Sequence, residues 1–231
     1  MTDVRSYRPA GIFDVRDDLR ERRAADGVAA TVTGPVRFAV RAVVTPLGRT
    51  EPEDWVLHTG RTISGLAVFR NRVVENKRTT RRLAAAVTGV ELLVESPGFQ
   101  PADVTFAPVG GARIQIDLAP GVDYPFGPAT SLLRGGVVDD ANQGVPGVLV
   151  SAPEALYGYR TAADGAWALV LPGPPDPPLP ADVALTVTVP AGVEVLPGGG
   201  WTGNGPAVTR IVPGALPGRT TSVPELRLRL T

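Results

Sequence analysis

Apolar and polar residues alternate along much of this chain, with the period of two that is typical of β-strands. The alternation is clearest at Arg113–Leu118 and Glu225–Leu230, where each strand is expected to have one wet face. The segment Ala166–Leu171 is apolar on both faces, which predicts a fully buried strand. Short apolar runs of this kind continue from Val36 to the C-terminal end. The pattern therefore predicts an all-β protein whose sheets pack face to face as sandwiches.

Only the segment from Asp14 to Ala25 has a helical pattern, with acidic residues early and arginines late, as the helix dipole prefers. Asp14 is the predicted N-cap, and Gly27 is predicted to end the helix. Val15 and Leu19 are the apolar contacts that this helix offers. We therefore expect residues 1–34 to form an arm without a core of its own, ordered by a partner or a neighbouring domain.

The 231 residues include 27 Gly and 24 Pro, which separate the apolar runs as turns would, and 43% of the residues are apolar. Three short segments recur in the same order, at offsets of 94, 100 and 93 residues. They begin at Arg41, Ser64 and Leu92. These offsets predict an internal duplication, and hence two tandem transthyretin-like or immunoglobulin-like sandwiches over residues 35–126 and 131–231. The proline-rich segment 172–180 is predicted to be a polyproline bridge between strands.

Charge and cysteine content indicate the type of partner and the cellular compartment to expect. The formal net charge is zero, but residues 1–82 carry a surplus of six positive charges and residues 83–231 a surplus of six negative charges. Such asymmetry can orient a protein on a charged partner. There is no Cys, and no segment has the length of a signal peptide or a membrane span. We expect a cytoplasmic protein, which could also become part of a particle released from the cell.

The second half of the chain resembles the carboxypeptidase regulatory-like domain, a transthyretin-like β-sandwich. Two segments carry the resemblance, "LRGGVVDDANQGVPGVLVSA" and "TAADGAWALVLPG". The matching positions are Gly136, Val138, Asp139, Gly144, Pro146, Val150, Thr161, Asp164, Gly165, Trp167 and Leu169. Ala162 departs from the pattern, because the family has an acidic residue there. The resemblance implies a seven-stranded sandwich.

Two acidic segments raise the question of metal binding. Asp164 and Gly165 have the chemistry of a tight hairpin turn, which would place Trp167 between the two sheets. Asp139 and its neighbours could form a calcium loop, but no Glu follows at the spacing that such a loop needs. Turn formation is the favoured interpretation, so no metal or cofactor site is predicted.

No catalytic constellation is evident. His58 is the only histidine, and no serine lies in the G-x-S-x-G turn of a hydrolase. We therefore expect a protein that is not an enzyme.

The segment "RNRVVENKRTTRR" has the highest density of charge in the chain. Its basic residues are the candidate partner-binding residues Arg70, Arg72, Lys77, Arg78, Arg81 and Arg82. Nucleic-acid binding would require interleaved aromatic residues, and only Phe69 is near, so nucleic acid is an unlikely ligand. Two interpretations remain: contact with an acidic protein surface, and a charged edge hairpin that blocks the addition of further strands.

These observations predict a structural or adaptor subunit that binds other protein subunits in a larger, symmetric assembly. Tandem sandwiches of this type resemble accessory proteins of phage tails and contractile injection particles, which implies a cap, terminator or accessory role there. The alternative is a carbohydrate- or cell-surface-binding module, in which Tyr157, Tyr159 and Trp201 would stack on sugar rings.

Overall fold

The computed structural model describes residues 10–24, 30–61, 66–75, 77–108, 111–172, 182–189, 192–203, 206–215 and 217–230. The chain divides into two compact units, Met1–Pro120 and Gly121–Thr231. Three of the predicted features lie outside the described residues. They are the first nine residues of the arm, the helix stop at Gly27 and nearly all of the polyproline bridge.

The first unit contains nine strands and one helix among its described residues. In chain order they are β1 (Gly11–Asp17), α1 (Asp18–Arg23), β2 (Arg37–Thr45), β3 (Gly48–Thr50), β4 (Val56–Arg61), β5 (Ala67–Glu75), β6 (Thr79–Arg82), β7 (Gly89–Glu95), β8 (Ala102–Phe106) and β9 (Arg113–Leu118).

The described part of the second unit contains strands only. They are β10 (Leu132–Asp139), β11 (Leu149–Ser151), β12 (Tyr159–Arg160), β13 (Ala166–Val170), β14 (Asp182–Thr188), β15 (Val193–Val195), β16 (Ala207–Pro213), β17 (Thr220–Ser222) and β18 (Leu226–Leu230).

The strands of the first unit form one sheet in the order β8-β7-β2-β4-β5-β1-β9, with β3 on β2 and β6 on β5. The sheet folds back on itself, because residues from distant strands meet in one core. The ring of Phe13 in β1 lies 4.9 Å from that of Phe38 in β2 and 5.1 Å from that of Phe106 in β8. Phe69 in β5 packs edge-on against Phe106 at 5.9 Å. The predicted all-β sandwich class is confirmed.

The N-terminal segment differs from the predicted arm. Residues Gly11–Asp17 form a strand that pairs antiparallel with β5 and parallel with β9, and Phe13 and Val15 are buried in the core of the first unit. The prediction that Asp14 caps the helix was wrong. Asp17 is the N-cap, and its Oδ1 accepts the N–H of Arg20 at 3.0 Å. The predicted helix is present but shorter, over Asp18–Arg23. The described part of the segment is held by its own unit, which the prediction of an arm without a core missed.

Asp14 is a buried acid in β1, with 4% of its side chain exposed. Its Oδ2 accepts hydrogen bonds from Arg16 Nη2 at 2.9 Å and from Arg113 Nη2 at 2.7 Å. Burial by itself raises the pKa of this carboxyl, but the hydrogen bonds and positive charges of Arg16 and Arg113 outweigh it, so the pKa lies below its usual value. Because Arg113 belongs to β9, this pair joins the two parallel strands.

The second unit has two sheets, one in the order β13-β10-β18-β15 with β17 on β10, the other in the order β12-β11-β14-β16. Side chains from both sheets share one core. Trp167 in β13 lies in that core with 1% of its surface exposed, which confirms its predicted position. It lies directly across from Gly135 in β10, and a Cβ atom at Gly135 would lie 2.5 Å from the indole Cζ2. The glycine therefore makes room for the ring.

The predicted Asp164–Gly165 turn is also confirmed. The Oδ1 atom of Asp164 accepts the N–H of Ala166 at 3.0 Å, and Gly165 has a φ of 77°. Backbone hydrogen bonds of 2.9 Å from the N–H of Gly165 to the carbonyl of Ala162 and from the N–H of Ala162 to the carbonyl of Ala166 close the turn, although β12 before it and β13 after it belong to different sheets. A Cβ at Gly144 would lie 2.0 Å from the carbonyl carbon of Asp164, so two backbone segments meet here without room for a side chain.

Asp139 has the turn role that the sequence favours. Its Oδ1 accepts the N–H groups of Ala141 at 2.9 Å and of Gln143 at 2.7 Å.

The predicted internal duplication is not supported by the strand order. Two of its three matched segments fall on β2 and β7, which are neighbours in one sheet, and their counterparts fall on β10 and β14, which lie in different sheets.

The packing of Trp167 yields a stability prediction. The Trp167→Ala variant is expected to lower the free energy of unfolding by about 3–5 kcal/mol, because it leaves a cavity that the surrounding sheets fill only partly. Chemical denaturation of the full chain measures this change. Ile211→Ala is the matched control, since Ile211 is 57% exposed and its truncation is expected to change stability by less than about 0.5 kcal/mol. Equal stabilities of the two variants would contradict the core assignment.

The buried acid yields a pH prediction. A carboxyl whose pKa is depressed by folding stabilises the protein above its unfolded pKa of about 3.9, and this contribution is lost as the pH falls through the folded pKa. Asp14→Asn is therefore expected to cost about 1–3 kcal/mol near neutral pH and progressively less below about pH 4.

Urea unfolding across a pH series measures this difference. Asp103→Asn is the control, because Asp103 is exposed and makes no ion pair with any residue that the structure describes. A constant difference between wild type and Asp14→Asn from pH 7 to pH 2 would contradict the assigned role of the ion pairs.

Candidate functional site

The basic segment forms a hairpin at the edge of the first unit, which we call the basic hairpin: β5, the turn through Lys77 and Arg78, and β6. Within the described part of the chain, β6 pairs with β5 alone, so its other edge is open. In the turn, Lys77 has a φ of 60° and the N–H of Arg78 donates to the carbonyl of Glu75 at 3.1 Å. The open edge thus carries a short strand in which every residue is exposed.

β5 contains a bulge within the basic hairpin, at the point where β5 pairs with β4. Leu57 of β4 lies opposite Val73 and Thr59 lies opposite Phe69, so two residues of β4 span the same distance as four of β5. Asn71 lies inside this bulge with a φ of 55°, and its carbonyl accepts the N–H of Leu83 at 3.2 Å. Because of the bulge, Arg70 and Arg72, the two neighbours of Asn71, are not paired with β4, while Phe69 and Val73 stay buried.

All six basic residues that the sequence singled out are exposed, but they do not form one cluster. Arg72 and Arg82 lie directly opposite each other on β5 and β6. Arg81 is on the other face of β6, with its guanidinium 5.3 Å from the centroid of the Trp55 ring. Lys77 and Arg78 lie in the turn. Arg70 lies on the side of β5 that faces β4, close to Gly60.

The Arg72–Arg82 pair is the electrostatically unusual feature of the basic hairpin. Like charges directly across an antiparallel ladder are destabilising, whereas opposite charges at such positions are favourable. Within the described residues, neither arginine makes an ion pair or a side-chain hydrogen bond, and the same holds for Lys77 and Arg78. The basic hairpin thus carries positive charge that this part of the chain does not neutralise.

Two other exposed arginines of the same unit, Arg37 and Arg49, are neutralised by carboxylates. Arg49 in β3 pairs with Glu91 in β7 at 2.9 Å and also with Glu51, and Arg37 in β2 pairs with Glu95 in β7. The hydrogen bonds from Arg49 lower the pKa of the Glu91 carboxyl below its usual value. Arg37 and Arg49 are therefore neutralised by carboxylates of β7 and its neighbours, whereas Arg72 and Arg82 of the basic hairpin are not.

The aromatic residues considered for sugar binding are not an exposed platform. Tyr159 and Trp201 are buried in the core of the second unit, and Tyr157 is half-buried. The hydroxyl of Tyr159 accepts the N–H of Val122 at 2.9 Å, and Nε1 of Trp201 donates to the carbonyl of Pro224 at 3.2 Å. These rings fill space and close loops, which is the role that buried Tyr and Trp usually have.

The remaining candidate chemistry is sparse. His58 lies exposed on β4. Over the described ranges, no group of three or more His, Cys, Asp or Glu side chains is placed to hold a metal ion. In the same part of the chain, no helix has the length and apolar character needed to cross a membrane. The basic hairpin is the feature that most distinguishes the surface.

Comparison with known proteins assigns no family. No model of a protein family matches the sequence, and no curated protein is significantly similar to it.

Solved structures give weak likenesses to β-rich proteins. The chain is similar to the TIE protein of Bacillus anthracis, with 10% identity and a TM-score of 0.28 over 96% of this chain and 34% of that one. It is similar to a streptococcal ancillary pilin, with 9% identity and a TM-score of 0.32 over 95% and 68%. For the shaft pilin SpaA of Lactobacillus rhamnosus GG, the identity is 12% and the TM-score 0.28 over 95% and 96%. Scores this low define neither a family nor a function.

Proposed function

We propose that this protein is a non-enzymatic structural or adaptor subunit whose basic hairpin binds an acidic surface of a partner protein. The observation that carries the proposal is the directly opposed pair Arg72 and Arg82, exposed at an open strand edge and without an acidic partner among the described residues. A carboxylate placed between the two guanidinium groups would convert their repulsion into two favourable pairs. Binding an acidic surface would therefore remove a cost that the free protein bears.

The chemistry of the basic hairpin favours a protein surface over nucleic acid. Single-stranded nucleic acids are bound by basic grooves with exposed rings on which the bases stack. Phe69 is fully buried, and Trp55, which is partly buried, is covered on one side by Arg81. The basic hairpin therefore offers charge and open backbone groups, without a stacking platform. An exposed strand with one open edge suits contact with a second folded protein.

The more specific proposal is a cap, terminator or accessory protein of a phage-tail-like contractile injection particle, within a symmetric assembly. It rests on the resemblance of tandem sandwiches to such accessory proteins, together with the charge surplus of the first 82 residues. The carbohydrate-binding alternative has no specific observation in its favour, because two of its three aromatic residues are buried and the third is half-buried. Edge protection remains the competing explanation of the charges, and it differs in requiring no partner.

A salt series with charge reversal tests the proposal. The native complex is isolated at low ionic strength through a tag on the full chain, and its partner is identified by mass spectrometry. The double variant Arg72→Glu, Arg82→Glu is expected to weaken the partner's affinity by about 10-fold or more, because two favourable pairs become repulsive. The wild-type complex is expected to weaken steadily as salt is added, since exposed pairs are screened over about 8 Å at physiological ionic strength.

The double variant Arg219→Glu, Arg227→Glu is the matched control, because both arginines are exposed in the second unit and the change of charge equals that of Arg72→Glu, Arg82→Glu. Its affinity for the partner is expected to stay within about 2-fold of wild type. If both variants bind equally well, or if binding is indifferent to salt, the charges only protect the edge and the proposal fails.

A further inference from the structure

Backbone groups along one edge of the basic hairpin have no partner in the described part of the chain. The N–H of Leu83, which follows β6, donates to the carbonyl of Asn71 in β5 at 3.2 Å, so these two residues form a hydrogen-bonded pair of the ladder. Such pairs alternate with non-hydrogen-bonded pairs along an antiparallel ladder. Arg81 therefore also bonds to β5, whereas the N–H and C=O groups of Thr80 and Arg82 point away from β5. Two donors and two acceptors are open to a further strand.

Arg72 and Arg82 lie on the face of the basic hairpin that is turned away from the core. They form a non-hydrogen-bonded pair, the kind in which Cα atoms are about 4.5 Å apart and side chains are closest. Val73, the next residue of β5, points to the opposite face and is fully buried. On an added strand, the residue opposite Arg82 would have its side chain on the outer face, next to that of Arg82.

The charge of this edge determines which strand can pair with it. Opposite charges across a ladder are favourable and like charges are unfavourable, so β6 of a second copy is a poor partner, because it would bring further arginines against Arg81 and Arg82. An apolar strand would take the guanidinium groups out of water without a hydrogen-bond partner. A Glu or Asp side chain opposite Arg82 would form a charge-assisted hydrogen bond instead. The basic residues therefore disfavour most strands and favour an acidic one.

We propose that the partner protein adds a strand to the open edge of β6, with acidic side chains at every second position. The inference rests on the proposed function and goes beyond it by stating how the partner is bound. Thr80 and Arg82 supply backbone hydrogen bonds, and the Arg72–Arg82 pair supplies the preference for acidic side chains. An extended acidic segment of the same length as β6 covers the edge.

A substitution at Thr80 tests the backbone contact without changing a charge. Because the Thr80 N–H points away from β5, Thr80→Pro removes no hydrogen bond of the β5–β6 ladder, and edge strands accept proline at such positions. The variant removes one donor and places the proline ring against the added strand. The affinity of the full-length protein for its native partner is expected to fall about 10-fold or more. Thr80→Ala is the matched control, because it keeps the N–H, and its affinity is expected within about 2-fold of wild type.

A second variant covers the case in which the proline disturbs the basic hairpin. Replacing Thr80 by its α-hydroxy acid turns the amide into an ester, which removes the N–H and leaves the side chain and every charge in place. The affinity is expected to fall about 3- to 10-fold, the factor that corresponds to one hydrogen bond. Amide hydrogen exchange checks the folding of both variants, since the N–H groups of Arg81 and Leu83 stay bonded to β5 only if the basic hairpin is intact.

The results separate this inference from the proposed function. Lower affinity of both backbone variants, with Thr80→Ala unchanged, supports strand addition, and the ester decides where the two backbone variants differ. If Arg72→Glu, Arg82→Glu weakens binding but the ester leaves it unchanged, the partner contacts side chains alone, which overturns the inference and leaves the proposed function standing. If neither the charge reversal nor the ester weakens binding, both are wrong.

Discussion

The first unit depends on the insertion of β1 between β5 and β9. This strand brings Phe13 into contact with Phe38 and Phe106, which belong to the opposite side of the folded sheet. Without it the core would lose its central ring, and β5 would lose one of the two strands that hold its first half, Ala67–Phe69. The position of the basic hairpin follows, because β5 continues directly into it. A segment with the composition of a surface arm is therefore what places the candidate binding surface.

Charged side chains in this unit have two kinds of surroundings. On the outer face of β2, β3 and β7, and at buried Asp14, arginines meet carboxylates and form ion pairs. On the basic hairpin, Arg72 meets Arg82. Because the fold opposes two arginines at an open edge, it bears an electrostatic cost there. Association with an acidic surface removes that cost, and this is why the basic hairpin, rather than any pocket, is the functional feature we propose.

The second unit shows which parts of the fold are predictable from local sequence. The turn at Asp164–Gly165 and the burial of Trp167 depend on residues a few positions apart, and both are confirmed. The predicted helix is present only over Asp18–Arg23. The helical interpretation was wrong for Asp14–Asp17, because Asp14 and Arg16 suggest a solvated surface, although their charges are satisfied by each other and by Arg113, far along the chain. Long-range pairing of this kind leaves no trace in local periodicity.

Register and strand order also lay beyond prediction. The six basic residues were predicted together as a candidate partner-binding surface, but their division between two faces and a turn depends on the bulge at Asn71 and on the pairing of β5 with β6. The internal duplication was inferred from spacing, and strand order does not support it, because similar short apolar strings suit strands in different sheets equally well.

Hydrogen exchange of the full chain, measured residue by residue in the free protein and in its native complex, tests the central claim most directly. Since the N–H of Leu83 points toward β5, those of Thr80 and Arg82 point toward the open edge. The account predicts slow exchange in Gly11–Asp17 of the free protein, and exchange at Thr80 and Arg82 that is fast when free and slow in the complex. Fast exchange of β1 in the free protein, or unchanged exchange at the open edge in the complex, would contradict it.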